Sequence, residues 1–239
     1  MPSKSEPVTL SQTPTLSRRA VDFFVLTKPK INVLVGVATF AGYFLARNGD
    51  LEILPLIHTL IGTVLLGSGA STLNQVWEKH TDARMERTRH RPVPTGRISR
   101  VEASVFGISL VALGFFWLWG WVNHASALVG LSSAALYVLV YTPLKSRTML
   151  STLVGAIPGG LPTMIGWAAG GGEFNMRAWS LFSILFLWQL PHFMAIAWIH
   201  RKDYKRAGTI NLAVLDPAGV LCSQQAVLHS MILLPVSLT

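Results

Sequence analysis

Charge is scarce in this chain, and negative charge is scarcer still. Of 239 residues only 13% are Asp, Glu, Lys or Arg, and 11 acidic side chains stand against 20 basic ones. Globular domains carry about a quarter charged residues, so an ordinary water-soluble domain is excluded. A single cysteine, Cys222, excludes an intrachain disulfide and a zinc cluster built from cysteines. What is abundant is apolar: 51% of the residues are hydrophobic, and the mean hydropathy is +0.45. A net charge of +9 would suit a nucleic-acid partner. Here, however, the basic residues form short blocks between long apolar runs, which points to a lipid bilayer and away from nucleic acid.

An apolar helix needs about 20 residues to cross a bilayer. Seven stretches approach that length, at about 31–46, 54–76, 101–121, 125–142, 151–170, 178–199 and 218–239. Gly155, Pro158, Gly159, Gly160 and Pro162 fall in the fifth, where neighbouring helices of a membrane bundle tolerate such residues. Residues 1–22 hold few large apolar side chains and predict a disordered tail ahead of an intramembrane domain over 23–239. No apolar signal-peptide core precedes the first span. The last run reaches Thr239 without a polar flank, so the chain is expected to be incomplete at its C-terminus.

The basic residues predict the orientation. The N-terminal segment and the loops after spans two, four and six carry five, seven, two and four Lys or Arg, 18 of the 20. Only Arg47 and Arg177 lie on the other side. Lys and Arg near span ends stay cytoplasmic, so a multi-pass inner-membrane protein with a cytoplasmic N-terminus and seven crossings is expected. The fold class is all-α, a polytopic transmembrane bundle.

The same loops hold the polar chemistry. At the end of span two, Asn74, Glu78 and Asp82 lie at i, i+4 and i+8. Each step of four drifts by about 40°, so three oxygen ligands share one helix face over about 12 Å. Carboxylate and amide oxygens suit a hard cation such as Mg²⁺, which keeps waters and binds substrate phosphate. Arg84, Arg87, Arg89 and Arg91 follow at once, and guanidinium groups match phosphate oxygens. The plainer reading is a solvated helix end with local i,i+4 ion pairs. Against it, Asn74 lies within the apolar run, where a polar side chain tends to be functional.

The run from Asn74 to Ser99 resembles the first acidic signature of the UbiA-type intramembrane prenyltransferases, and more narrowly their haem-farnesylating branch. The matching residues are Asn74, Glu78, Asp82, Met85, Arg87-Thr88, Arg91-Pro92, Gly96 and Ile98-Ser99. Leu26-Thr27-Lys28-Pro29-Lys30 and Tyr141-Thr142 with Lys145 match as well. So do Gly155 to Pro158, Gly166-Trp167, Trp188 to Phe193, Asp203-Tyr204 and Ala207-Gly208. The resemblance covers roughly residues 24–217. The wider family shows a second motif with several Asp residues after span six; here only Asp203 stands there, as suits the haem-farnesylating branch. Family members carry about nine membrane helices, two more than the seven counted here.

The resemblance implies a reaction: a farnesyl group passes from farnesyl diphosphate to a vinyl group of haem b, water adds and diphosphate leaves, giving haem O. It implies Mg²⁺ held by Asn74, Glu78 and Asp82, with Asp203 as a further catalytic residue. Lys28, Arg87, Arg91, Lys145 and Lys202 are then expected to bind diphosphate. A haem A synthase or an oxidase-assembly protein is an expected partner.

Haem iron accepts imidazole, which makes His192, just after Pro191 within span six, and His200 candidates for haem contact. A structural, hydrogen-bonded His192 is the plainer alternative. The eight Trp residues either line the acceptor slot or form an interfacial belt. Two competing functions are prenyl transfer to a quinone precursor and a polytopic transporter. The first would favour more Asp after span six, and the second would favour related halves, which the sequence does not show.

Overall fold

The computed structural model describes residues 16–238. Helix α1 (Leu16–Leu26) leads into α2 (Pro29–Ala46), α3 (Ile53–Trp77) and the short α4 (Lys79–Arg84). A loop of turns then reaches α5 (Arg100–Trp121) and α6 (His124–Ala135). α6 runs through a π-helical segment (Leu136–Tyr141) into α7 (Thr142–Leu144). α8 (Ser151–Ala169), α9 (Met176–Ile199), α10 (Arg201–Ala207), α11 (Leu212–Leu215) and α12 (Val220–Val236) complete the chain. There is no strand among the described residues. Of the expected tail, residues 1–15 lie outside the described residues, and the remainder is helical: it forms the start of α1, whose Asp22 is buried.

Among the described residues helices occupy all seven expected spans, and five of them are long and apolar enough to cross a membrane. These are α2, α3, α5, the continuous His124–Leu144 helix and α9. α12 has 17 residues. α8, with Pro158 and Pro162 inside it, is not among the five. It is also the most enclosed helix, packed on α2, α6 and α9. The close approach is built into its sequence. A Cβ at Gly166 would lie 1.9 Å from the Thr39 carbonyl oxygen, and one at Gly42 would lie 2.0 Å from that of Thr163.

Proline inside α8 removes backbone donors. Pro162 cannot serve the Pro158 carbonyl one turn back, and the Ser133 hydroxyl from α6 donates to that oxygen instead, at 3.0 Å. The Gln189 amide from α9 donates to Ala156 O nearby, at 3.4 Å. The main apolar core joins α3, α5, α6 and α8 through Leu66, Ala70, Leu118, Ala127, Ala134 and Ile165. Helix starts are capped where the sequence supplies a side chain. Ser99 and Glu102 form a reciprocal capping box on α5, and Asn123 accepts from Ser126 N on α6. The outer faces are apolar, with Leu34, Val37, Ile108, Phe116 and Leu139 exposed. An apolar surface of this extent suits lipid rather than water.

Candidate active site

Helix α3 ends at Trp77, and Glu78 forms a one-residue hinge before α4. The i→i−4 pattern survives the hinge: Glu78 N donates to Asn74 O at 2.9 Å, and Asp82 N donates to Glu78 O at 2.7 Å. Asn74, Glu78 and Asp82 therefore stay in register. They do not form a solvated helix end. Asn74 is 2% exposed, Glu78 7% and Asp82 2%, because three other elements close over them.

Each of the three meets its own cation. Lys28 Nζ donates to Asn74 Oδ1 at 2.9 Å, Lys145 Nζ to Glu78 Oε1 at 2.9 Å, and Arg91 Nη1 to Asp82 Oδ2 at 2.7 Å. The cations come from the α1–α2 junction, the end of α7 and the α4–α5 loop. Lys28 has a left-handed backbone, with φ 49°, which is uncommon for a residue with a Cβ. Two side-chain amides brace it: Asn32 Nδ2 donates to Thr27 O, and Gln75 Nε2 donates to Leu26 O at 2.8 Å. The Arg91 loop is tied down by the buried cluster of Leu26, Val93, Ile98 and Ala103. The Thr88 hydroxyl also donates to Asp82 O at 2.9 Å. At the loop's far end Arg97 Nε lies 3.0 Å from both oxygens of Asp22.

Burial and the neighbouring Arg91 guanidinium push the Lys28 ammonium from 10.5 down to about 7, against the pull of Glu78. Burial alone would raise the Glu78 carboxyl, but Lys145 and Lys28 overcome it and hold the group below its ordinary range. For Lys145 burial again opposes the charge, and the Glu78 carboxylate overrides it and raises the ammonium's pKa. With Lys28 protonated, three basic against two acidic side chains carry one net positive charge, which attracts an anion. Among the described residues no three of His, Cys, Asp and Glu group as a metal site. Two carboxylates and an amide fit a hard cation that completes its shell with water and phosphate oxygens. They do not fit a transition metal that selects nitrogen or sulfur ligands.

The other expected site residues fall outside this cluster. Arg87 is exposed, and its contribution is a backbone one. The N–H groups of Glu86 and Arg87 donate to the two Asp203 oxygens at 3.3 and 3.4 Å. Asp203 thus clamps the basic loop to α10, with Arg206 3.8 Å away. Lys202 is exposed. His200 is half-buried at the α9–α10 junction. His192 is exposed and stacks on Trp188, ring centroids 5.0 Å apart. α9 stays α-helical through Pro191 and buries Gln189 and Leu190, so its rotation turns His192 outward. The α5 tryptophans lie at the end away from the cluster: Trp121 stacks on His58, and Trp119 on His124.

Two features receive no role in the sequence reading, although Tyr141, Thr142, Phe193 and Tyr204 are among its matching residues. A cavity of about 80 Å³ beside Lys145 is lined by Tyr141, Ser151, Thr152, Phe193, Tyr204 and Asn211, among others. Thr142, buried next to Asn74, accepts from Asn74 Nδ2 at 3.1 Å. The π-helical turn that places Tyr141 and Thr142 has no sequence signal.

Residues 35–239 match the model of the UbiA prenyltransferase family. The chain belongs to that family. A protoheme IX farnesyltransferase of Solibacter usitatus is 45% identical over 91% of this chain and 77% of its own. One from Salinibacter ruber is 40% identical over 90% and 76%. Solved structures share the fold at lower identity. One, described as bearing on the biosynthesis of digeranylgeranylglyceryl phosphate synthase in membranes, aligns with a TM-score of 0.74 at 18% identity, over 92% of this chain and 76% of the other. A UbiA homologue from Archaeoglobus fulgidus, bound to DMAPP and Mg²⁺, aligns at 0.73 and 17%, over 90% and 76%.

Proposed function

We infer that this chain transfers the farnesyl group of farnesyl diphosphate to a vinyl group of haem b, giving haem O. The observation that carries the reading is the buried array in which Asn74, Glu78 and Asp82 each face a basic side chain. It is joined to the 45% identity with a protoheme IX farnesyltransferase. Neither quinone prenylation nor transport has support of that kind.

In the reaction the C1–O bond of the farnesyl diphosphate breaks, and its electron pair leaves with the diphosphate. The vinyl π electrons form the new carbon–carbon bond to C1. Water then adds to the other vinyl carbon and loses a proton. Asn74, Glu78 and Asp82 would hold Mg²⁺, which when bound neutralises the charge growing on the leaving oxygens. Lys28, Arg91 and Lys145 are already drawn to that spot by the oxygens they pair with, and they turn to the phosphate oxygens. Buried donors aimed at developing charge act more strongly than they would in water. Asp203 holds the Arg91 loop rather than the substrate. His200, Lys202 and Arg87 belong to the rim.

The cluster and the basic loops share one end of the bundle, and the 18-to-2 division of Lys and Arg supports a cytoplasmic position for that end and for the N-terminus. The test is pigment analysis. The chain, expressed in a membrane lacking the activity, is expected to yield farnesylated haem, and Asp82→Asn is expected to yield none. A wild-type chain that leaves the pigments unchanged, or a fully active Asp82→Asn, would overturn the reading.

A further inference from the structure

The two ends of an Asn side-chain amide are nearly identical in shape, but one accepts and the other donates. Only the oxygen can serve a cation, so something must decide which end of Asn74 faces the site. Thr142 is 2% exposed and touches the other end. Its own bonds are fixed by the π-helical segment. There the Thr142 N–H reaches back five residues to Tyr137 O, and the Thr142 hydroxyl donates to the same carbonyl at 2.8 Å. A hydroxyl has one proton. With that proton committed to Tyr137 O, Thr142 Oγ1 presents only lone pairs to Asn74, and Asn74 Nδ2 donates to it at 3.1 Å. The oxygen end is thereby directed to the site, where it meets Lys28 Nζ at 2.9 Å. The extra residue in the π turn also matters. In a plain α-helix Thr142 would be rotated by about 100°, away from this alignment. Such single π turns recur at functional sites.

We propose that Thr142 is a positioning residue. Through the relay Tyr137 O, Thr142 Oγ1, Asn74 Nδ2, it sets the orientation of the Asn74 amide, so that Asn74 Oδ1 is presented to the divalent cation. The inference rests on the metal reading given above. It adds that the metal affinity of Asn74 depends on a residue that never touches the metal.

The experiment measures Mn²⁺ binding to the detergent-solubilised chain by electron paramagnetic resonance, with an unreactive farnesyl thiodiphosphate present, and thermal unfolding alongside. Thr142→Val keeps the shape and removes the acceptor. It is expected to weaken Mn²⁺ binding about tenfold, the lower end of what loss of an outer-sphere partner costs. Thr142→Ser is expected to restore affinity to within about twofold. The deciding measurement is the pair of changes together. In Asn74→Asp both side-chain ends are oxygens, so adding Thr142→Val should change Mn²⁺ affinity by less than about twofold. Wild-type affinity in Thr142→Val would overturn the proposal, and so would the same tenfold loss in the Asn74→Asp background, which would mark the effect as packing. A wild-type chain that binds no Mn²⁺ beside the analogue would overturn the metal reading and this inference with it.

Discussion

Lys145 and Glu78 stand 67 residues apart in the chain, and the fold brings their charged atoms to 2.9 Å. Their side chains are 26% and 9% exposed, so the pair is largely withdrawn from water. Removing one partner from such a pair leaves the other charge uncompensated, whereas removing both can be nearly neutral. Lys145→Met is expected to destabilise the solubilised protein by about 3 kcal/mol. Adding Glu78→Gln should recover much of the loss while leaving the double variant inactive. Thermal unfolding in detergent reads the first effect and haem farnesylation the second. Additive losses in stability would contradict the pairing.

The same pair predicts the acid limb of stability. The folded state holds the Glu78 carboxyl below its ordinary value of 4.5. Its contribution is therefore complete above that value and is lost as pH falls through the lower folded-state value. Glu78→Gln should flatten the decline in unfolding temperature between about pH 5 and pH 3. A decline as steep as wild type would assign the acid limb to other carboxylates.

The division of basic residues predicts sidedness. Cysteines placed at Asn123 and at Arg97, with buried Cys222 as background, should react with an impermeant reagent from opposite faces of the membrane. Arg97 is expected to be reached from the cytoplasm. Labelling of both from one side would refute a membrane crossing by α5.

Close contact between α2 and α8 predicts an asymmetry among glycines. A Cβ at Gly166 meets backbone at 1.9 Å, whereas one at Gly120 meets nothing within 4 Å. Gly166→Ala should destabilise the bundle by at least about 1–3 kcal/mol, the usual cost of overpacking. Gly120→Ala should be neutral. Comparable unfolding temperatures for the two would show that the helices separate at little cost.

Much of the site was legible because it is local. Asn74, Glu78 and Asp82 follow helical spacing, and the hinge at Glu78 spares the i→i−4 bonds that keep them in register. Their burial was not legible, since it depends on Lys28, Arg91 and Lys145 arriving from distant segments. Arg87 and Arg91 look alike in sequence, but the turns of the loop send Arg91 to Asp82 and leave Arg87 exposed. His192 stood in a promising context beside Pro191. The packing of Gln189 and Leu190, rather than the proline, decides where its ring points.

By itself the sequence determined the helical class, the apolar segments, the segregation of basic residues to one side and the oxygen-rich motif. Each of these follows from composition or from the 3.6-residue period, which neighbours in the chain impose on one another. Tertiary structure alone decided which cation faces which oxygen, and that a π turn sets Thr142 against Asn74. These depend on side chains separated by tens of residues, such as Lys28 and Asn74 at 46 apart. Their meeting is fixed by how closely glycine-bearing helices pack, and no local pattern encodes it.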